Sequence, residues 1–281
     1  MTMRGALRSV APALLLVGIV APSGAFAAVP SVASRWAAAP PVVDGRPDEW
    51  AGEALSHDRK SGADFAFRND GGNLYILVTL KDPEAAEALL ASGLKVFGRP
   101  ARPGAAPSGV LFVARSVSAD AYIGWEVGQG TVLTEAEKAE LRKAGRGELH
   151  LAYAIGPSGS IFGPIGRAPR GAQPDFAEGG PENATSFEIR IPLASPKETT
   201  GAIGAAPGEA LRVSFDWGGG ENRELSTPGS NATKTLNSGY LSGTGRTWSQ
   251  EFLDTFDSMA RPFSNAKRYS FSVDVWLAAS R

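Results

Sequence analysis

The chain has 281 residues, with 28 Lys and Arg against 29 Asp and Glu, 34 Gly, 20 Pro and no Cys. That near-neutral balance supplies neither the basic surface that draws nucleic acid nor the polybasic patch that anionic lipid requires. The missing cysteines exclude disulfides, thiolate metal sites and a lipid-anchored cysteine, and the glycine and proline content points to many turns and few long helices.

Residues 1–27 read as an export leader. Arg4 and Arg8 form a basic start, Val10 to Ala21 is apolar, and Ala25-Phe26-Ala27 has the small-x-small cleavage pattern. The apolar run is roughly 12 residues, short of the ~20 that a membrane span requires. Cleavage near Ala27, and a periplasmic or secreted destination with no membrane span, are therefore expected. Residues 28–41 (VPSVASRWAAAPP from Val29) read as a linker, with Trp36 pinning that arm to the domain. Residues 42–281 then form a single domain that must rely on its hydrophobic core.

In chain order, Val42-Val43 opens a strand and Asp44-Gly45-Arg46-Pro47 turns it. Asp48-Glu49-Trp50 gives one helical turn with Trp50 inward. Phe65 and Phe67 alternate with polar or small residues, as do Leu74, Ile76, Val78 and Leu80, and Asn69-Asp70-Gly71-Gly72-Asn73 lies between them. That is a hairpin whose Asp-Gly and Gly-Gly pairs tolerate positive φ.

Asp82-Pro83 starts a helix that Gly93 ends. Lys95 to Phe97, Gly109 to Arg115 and Ala121 to Val127 read as strands, and Thr134 with Glu137 forms the capping box of a polar surface helix ending at Gly145. Four further alternating runs follow: Leu149 to Ile155 with His150 outward; Phe187 to Leu193 with Glu188 and Arg190 outward; Leu211 to Trp217; and Tyr269 to Leu277, with Ser272, Asp274 and Trp276 on the opposite face. Pro192 places the end of its strand at an edge. The whole predicts an all-β fold, a jelly-roll-like antiparallel β-sandwich with one or two short surface helices. Residues 156–183 and 216–250 are left as long irregular stretches.

The order of these motifs resembles a known group. A strand ending in Asp44-Gly45, the Asp48-Glu49-Trp50 turn and the hairpin NLYILVTLKD resemble the N-terminal half of family 9 carbohydrate-binding modules. Glu188, Ile191, Pro192 and Leu193 resemble the Glu-x-x-Ile-Pro-Leu strand of the same domains. These belong to the wider DOMON-like β-sandwiches, which bind sugars or haem. The resemblance implies a non-catalytic domain that stacks a sugar on tryptophan and can hold structural calcium.

Strand parity places Trp217 and Trp125 with apolar neighbours, hence in the core. Trp276, beside Asp274 and Ser272, and Trp248, in a polar loop with Tyr240, are the candidate sugar contacts, because an indole covers the apolar face of a sugar while polar groups bond its hydroxyls. Carboxylates are numerous enough for calcium, but none has EF-hand-like spacing, so the metal assignment stays open. Haem is the disfavoured alternative: only Met259, His57 and His150 offer axial ligands after the leader, and no CxxCH exists. No HExxH or GxSxG motif is present, so no enzyme is expected. A protein-interaction sandwich without a sugar site is the other alternative, its partner unknown.

Overall fold

In the computed structural model the expected hairpin is the middle of one layer. The structure describes residues 29–128, 130–155, 161–164, 174–180, 184–194, 201–219 and 267–280. Strands β4 (Ala63–Asn69) and β5 (Asn73–Leu80) pair antiparallel, Ala63 opposite Leu80 and Asn69 opposite Leu74. Phe65, Phe67, Leu74, Ile76, Val78 and Leu80 are buried on the inner face. The turn differs from expectation. Neither Gly71 nor Gly72 has positive φ; instead Asp70 Oδ1 accepts from the N–H groups of Gly72 and Asn73, both at 2.7 Å, and Tyr75 donates to Oδ2 at 2.7 Å. An aspartate side chain bonding ahead along its own backbone does the turning here.

Around this hairpin the first sheet runs β10 (Asp175–Gly179), β11 (Thr185–Pro192), β5, β4 and β2 (Arg35–Trp36), with β3 (Ser56–Asp58) also on β4. The second runs β1 (Ser31–Ala33), β13 (Arg268–Trp276), β12 (Ala210–Gly218), β6 (Leu94–Pro100), β7 (Ser108–Ser118), β8 (Arg146–Ile155) and β9 (Ile161–Pro164). The sandwich is mixed rather than purely antiparallel, because β1 pairs parallel with β13 and β2 parallel with β4. The stretch expected as a linker over 28–41 therefore carries a strand of each sheet, and Val42-Val43 is not a strand. The irregular stretch 156–183 likewise holds β9 and β10. Pro192 meets expectation: β10 stops pairing at Arg190, so the proline nitrogen needs no partner there.

Between the sheets, Phe65 stacks on Phe271 at 5.1 Å, Phe215 on Phe271 at 4.5 Å, and Trp217 on Tyr269 at 5.3 Å. Such pairs contribute about 0.5–1.5 kcal/mol each beyond burial. Helix α1 (Pro83–Ser92) has the expected Asp82 cap, which accepts the Glu84 N–H at 3.1 Å, and the Gly93 stop at φ 76°. It is no surface helix. Ala85, Ala86, Ala88 and Leu89 are buried in the same core, and Trp217 Nε1 donates to the Ala85 carbonyl at 3.0 Å.

The strand expected at 121–127 is helix α2 (Ala119–Gly128). Its alternation was a coincidence of spacing: Ala121, Tyr122 and Trp125 sit one helical turn apart and pack over Leu111, Val113, Leu149, Leu151 and Tyr153. Trp125 is half-buried there and Val127 is exposed. Helix α3 (Glu135–Ala144) has the expected capping box, with Glu137 N–H donating to Thr134 Oγ1 at 3.2 Å and Thr134 N–H to Glu137 Oε2 at 2.7 Å. Among the described residues there are thus three α-helices rather than one or two, and none of them is long and apolar enough to cross a membrane.

Candidate functional site

Two features stand out: a buried junction and an open face. The junction joins the stretches of sequence that lie farthest apart among the quoted motifs. Segment 37–53 crosses the outer surface of the first sheet, where Ala37 and Trp50 pack on Tyr75 and Leu77. Glu188 points outward from β11 as parity requires, but that segment covers it to 2 % exposure. Its Oε2 accepts the N–H of Asp44 at 3.1 Å and of Gly45 at 2.9 Å, and its Oε1 accepts Trp50 Nε1 at 2.7 Å.

Burial pushes the Glu188 carboxyl above the usual range, while those three donors pull it back towards the ionised form. Asp44, Glu49 and Glu188 are the described group of three acids with oxygens within 4.8 Å of one another. Their oxygens already serve the backbone: Asp44 accepts the Arg46 N–H at 2.8 Å and Glu49 the Val42 N–H at 3.1 Å. Donors aimed at Glu188 oppose a cation at the same oxygens. The junction holds the crossing segment to the sheet.

The open face belongs to the second sheet. Over β7 and β8 its outer surface is covered by α2; over β6, β12 and β13 no described helix or strand lies on it. At one corner Trp276 is 58 % exposed, and no other Phe, Tyr or Trp among the described residues is classed as exposed. Its strand neighbours in register are Ala210 on β12 and Ala33 on β1, so small side chains flank the indole. Beside it, Asp274 takes both arms of Arg212, at 2.8 and 2.9 Å. The Arg212 hydrogen bonds hold the Asp274 carboxyl below its usual range. Ser214 and Ser272 share a hydrogen bond at 2.8 Å one step further on. Trp276 and Asp274 are thus brought together as expected, although Asp274 is already paired. Trp248 and Tyr240 lie outside the described residues, as does Met259. Trp217 is buried in the core as expected.

A groove of about 550 Å³ runs between Arg35, Trp36, Glu49 and Arg68, but Arg68 is engaged by Glu53 and the Glu49 carbonyl, both at 2.7 Å, and lies over the Trp50 ring. His57 is 2.7 Å from Asp64 on the first sheet. His150 is exposed on β8 of the second, edge-on to Phe176 at 5.1 Å. Glu148 of β8 and Glu178 of β10 interact across the same pair of strands.

There burial, and then Glu148, push the Glu178 carboxyl up to about 7, and Glu178 Oε2 has no hydrogen-bond partner among the described residues. With a folded value above the ordinary 4.5, its stabilisation is complete below pH 4.5 and is lost as pH rises through about 7. Thermal melts across that window are expected to show a falling midpoint, with Glu178→Gln flattening the slope. An unchanged slope in that variant would clear Glu178 of the effect.

Sequence reading missed Glu188 as a buried group. The available signal was a carboxylate opposite an Asp-Gly turn and an indole N–H, readable only once the two motifs are placed together. No family model matches the chain, and no curated protein matches it. Among solved structures, the chain is similar to a family 9 carbohydrate-binding module from Caldicellulosiruptor kristjanssonii in complex with glucose, at 15% identity and a TM-score of 0.33, over 66% of this chain and 77% of that one. It is also similar to one in complex with cellotriose, at 13% identity and a TM-score of 0.37, over 89% and 95%. The β-sandwich itself rests on this chain's own two sheets.

Proposed function

We propose that this is an exported, non-catalytic carbohydrate-binding β-sandwich whose ligand stacks on Trp276. The observation that carries the reading is the solvent-exposed indole on the outer sheet face, flanked by two alanines and followed by an Arg–Asp pair and two serines. A single exposed apolar side chain is ordinary on a protein surface; what suits this one to a ligand is the row of hydrogen-bonding groups beside it. A pyranose ring suits it: its C–H face lies on the indole, and its hydroxyls find the neighbouring donors and acceptors. The order of motifs, with Asp44-Gly45, Trp50 and Glu188 meeting in one junction, supports the same reading.

Titration of tryptophan fluorescence with a panel of mono- and oligosaccharides tests it. Binding is expected, and Trp276→Ala is expected to weaken it by roughly 10- to 100-fold, as removal of a central aromatic anchor does. Binding that Trp276→Ala leaves untouched would move the site elsewhere.

A further inference from the structure

We propose that the open face of β6, β12 and β13 selects glycans that carry uronate carboxylates. This rests on the sugar-binding reading and adds the charge of the ligand. The register lines up the outward side chains of the three strands: Lys95, Phe97 and Arg99 on β6; Ala210, Arg212, Ser214 and Asp216 on β12; Arg268, Ser270, Ser272, Asp274 and Trp276 on β13. The charges do not cancel. Arg212 is committed to Asp274, and Arg268 to Asp216 at 2.7 and 2.9 Å. Each of those acids is bound through both oxygens, which leaves the two cations of β6 without one.

Lys95 stands opposite Asp216, and Arg99 opposite Arg212. Neither Lys95 nor Arg99 has a hydrogen bond or an ion pair among the described residues; Arg99 reaches Asp274 only through space. The face therefore has a surplus of positive charge in a chain whose total is −1, and the surplus lies on the strand two places from Trp276. Two strand spacings sideways and two residues along put the Arg99 Cα roughly 12 Å from that of Trp276, the span of a short oligosaccharide. A guanidinium matches a carboxylate bidentately, so one sugar unit stacks on the indole while the carboxylate of a neighbouring unit meets Arg99. Lys95 lies four residues further along β6, on the path of a longer chain. Nucleic acid is a poorer occupant, because two uncommitted cations and one exposed aromatic ring are few for a phosphate backbone.

The test is calorimetric titration of the mature chain with polygalacturonate, with a neutral β-1,4-gluco-oligosaccharide, and with polyglutamate and single-stranded DNA as charge controls, at low and high NaCl. Polygalacturonate is expected to bind most tightly and to weaken with salt as exposed charges are screened. Arg99→Glu is expected to weaken it by roughly tenfold, the scale of one charge-assisted contact, with Lys95→Glu acting in the same direction and Trp276→Ala weakening it by roughly 10- to 100-fold. Circular dichroism confirms that the variants are folded, and Arg99→Gln replaces Arg99→Glu if β6 is disturbed.

Equal binding of the neutral oligosaccharide, unmoved by Arg99→Glu, overturns the charge selectivity and leaves the sugar reading standing. Binding of polyglutamate or DNA as tight as that of polygalacturonate, and indifferent to Trp276→Ala, overturns the proposal as bare charge capture. No binding of either glycan overturns it together with the reading on which it rests.

Discussion

Replacing Glu188 by alanine is expected to destabilise the domain by about 3 kcal/mol or more, the cost of stranding three buried donors that had met a charged acceptor. The carboxylate is 2 % exposed and takes two backbone N–H groups and the Trp50 indole N–H. Without it, Trp50 loses its anchor on Tyr75 and Leu77, and the whole segment from Ala37 to Trp50 loses its tie to the sheet. Glu188→Gln separates charge from shape. The amide oxygen can serve one side of the junction, but the amide N–H₂ then faces a donor on the other, so a loss of about 1–3 kcal/mol is expected. Urea unfolding followed by tryptophan fluorescence gives both numbers. In a domain of this size each kcal/mol corresponds to about 2–4 °C in melting temperature. Midpoints equal to the parent's in both variants would show that the junction contributes no stability.

Gly45→Ala is expected to be comparably severe, for a different reason. Gly45 has φ 81°, and a Cβ placed there would lie 2.2 Å from the Glu178 carbonyl oxygen and 2.8 Å from the Gly179 nitrogen. Both are backbone atoms of β10 and cannot swing aside, so the turn and the edge strand must separate. Gly52 supplies the control: it has φ 82° and nothing within 4 Å of its Cβ. Gly52→Ala is expected to cost only the conformational penalty of about 1–2 kcal/mol, and Gly45→Ala to exceed it by at least about 2 kcal/mol, the range of overpacking against rigid surroundings. Amide exchange should quicken first in β10. Equal losses in the two variants would mean that β10 yields without cost.

The elements that a sequence reader finds here are those whose alternation serves one buried face. Leu74 to Leu80, Phe187 to Leu193, Leu211 to Trp217 and Tyr269 to Leu277 all lie in the core with the expected parity. Trp276 stands in solvent for the same reason. What escaped reading depends on partners remote in sequence. Glu188 is outward in the sheet and yet buried, because a segment more than a hundred residues earlier crosses over it. Leu149, Leu151 and Tyr153 alternate correctly but are buried beneath α2 rather than between the sheets. The 119–128 segment mimics a strand because Ile123, Trp125 and Val127 happen to alternate, while its contacts follow the helical period. β1 and β2 are built from Ser, Val, Ala, Arg and Trp with no pattern at all; their place is set by backbone hydrogen bonds to strands already present, which no composition announces. Tyr240 and Trp248 belong to a stretch outside the described residues, so the sugar face is assigned on Trp276 and its neighbours alone.

The parallel pairing of β1 with β13 bears on the order of events in making the molecule. Ser34 Oγ donates to Asn69 Oδ1; Asn69 Nδ2 donates to the Ala278 carbonyl at 2.9 Å; and the Ala278 N–H bonds both Asn69 Oδ1 at 2.8 Å and Ser34 Oγ at 2.9 Å. The beginning of the domain, its central hairpin and its last residues are thus tied in one knot of hydrogen bonds. β1 has no strand partner until β13 has been synthesised, and the core lacks Tyr269, Phe271, Val273 and Val275 until the same moment. Contacts of such sequence separation make folding slow and late. Completion of the core and pairing of β1 thus both wait on β13, and the strands made earlier depend on it for their packing.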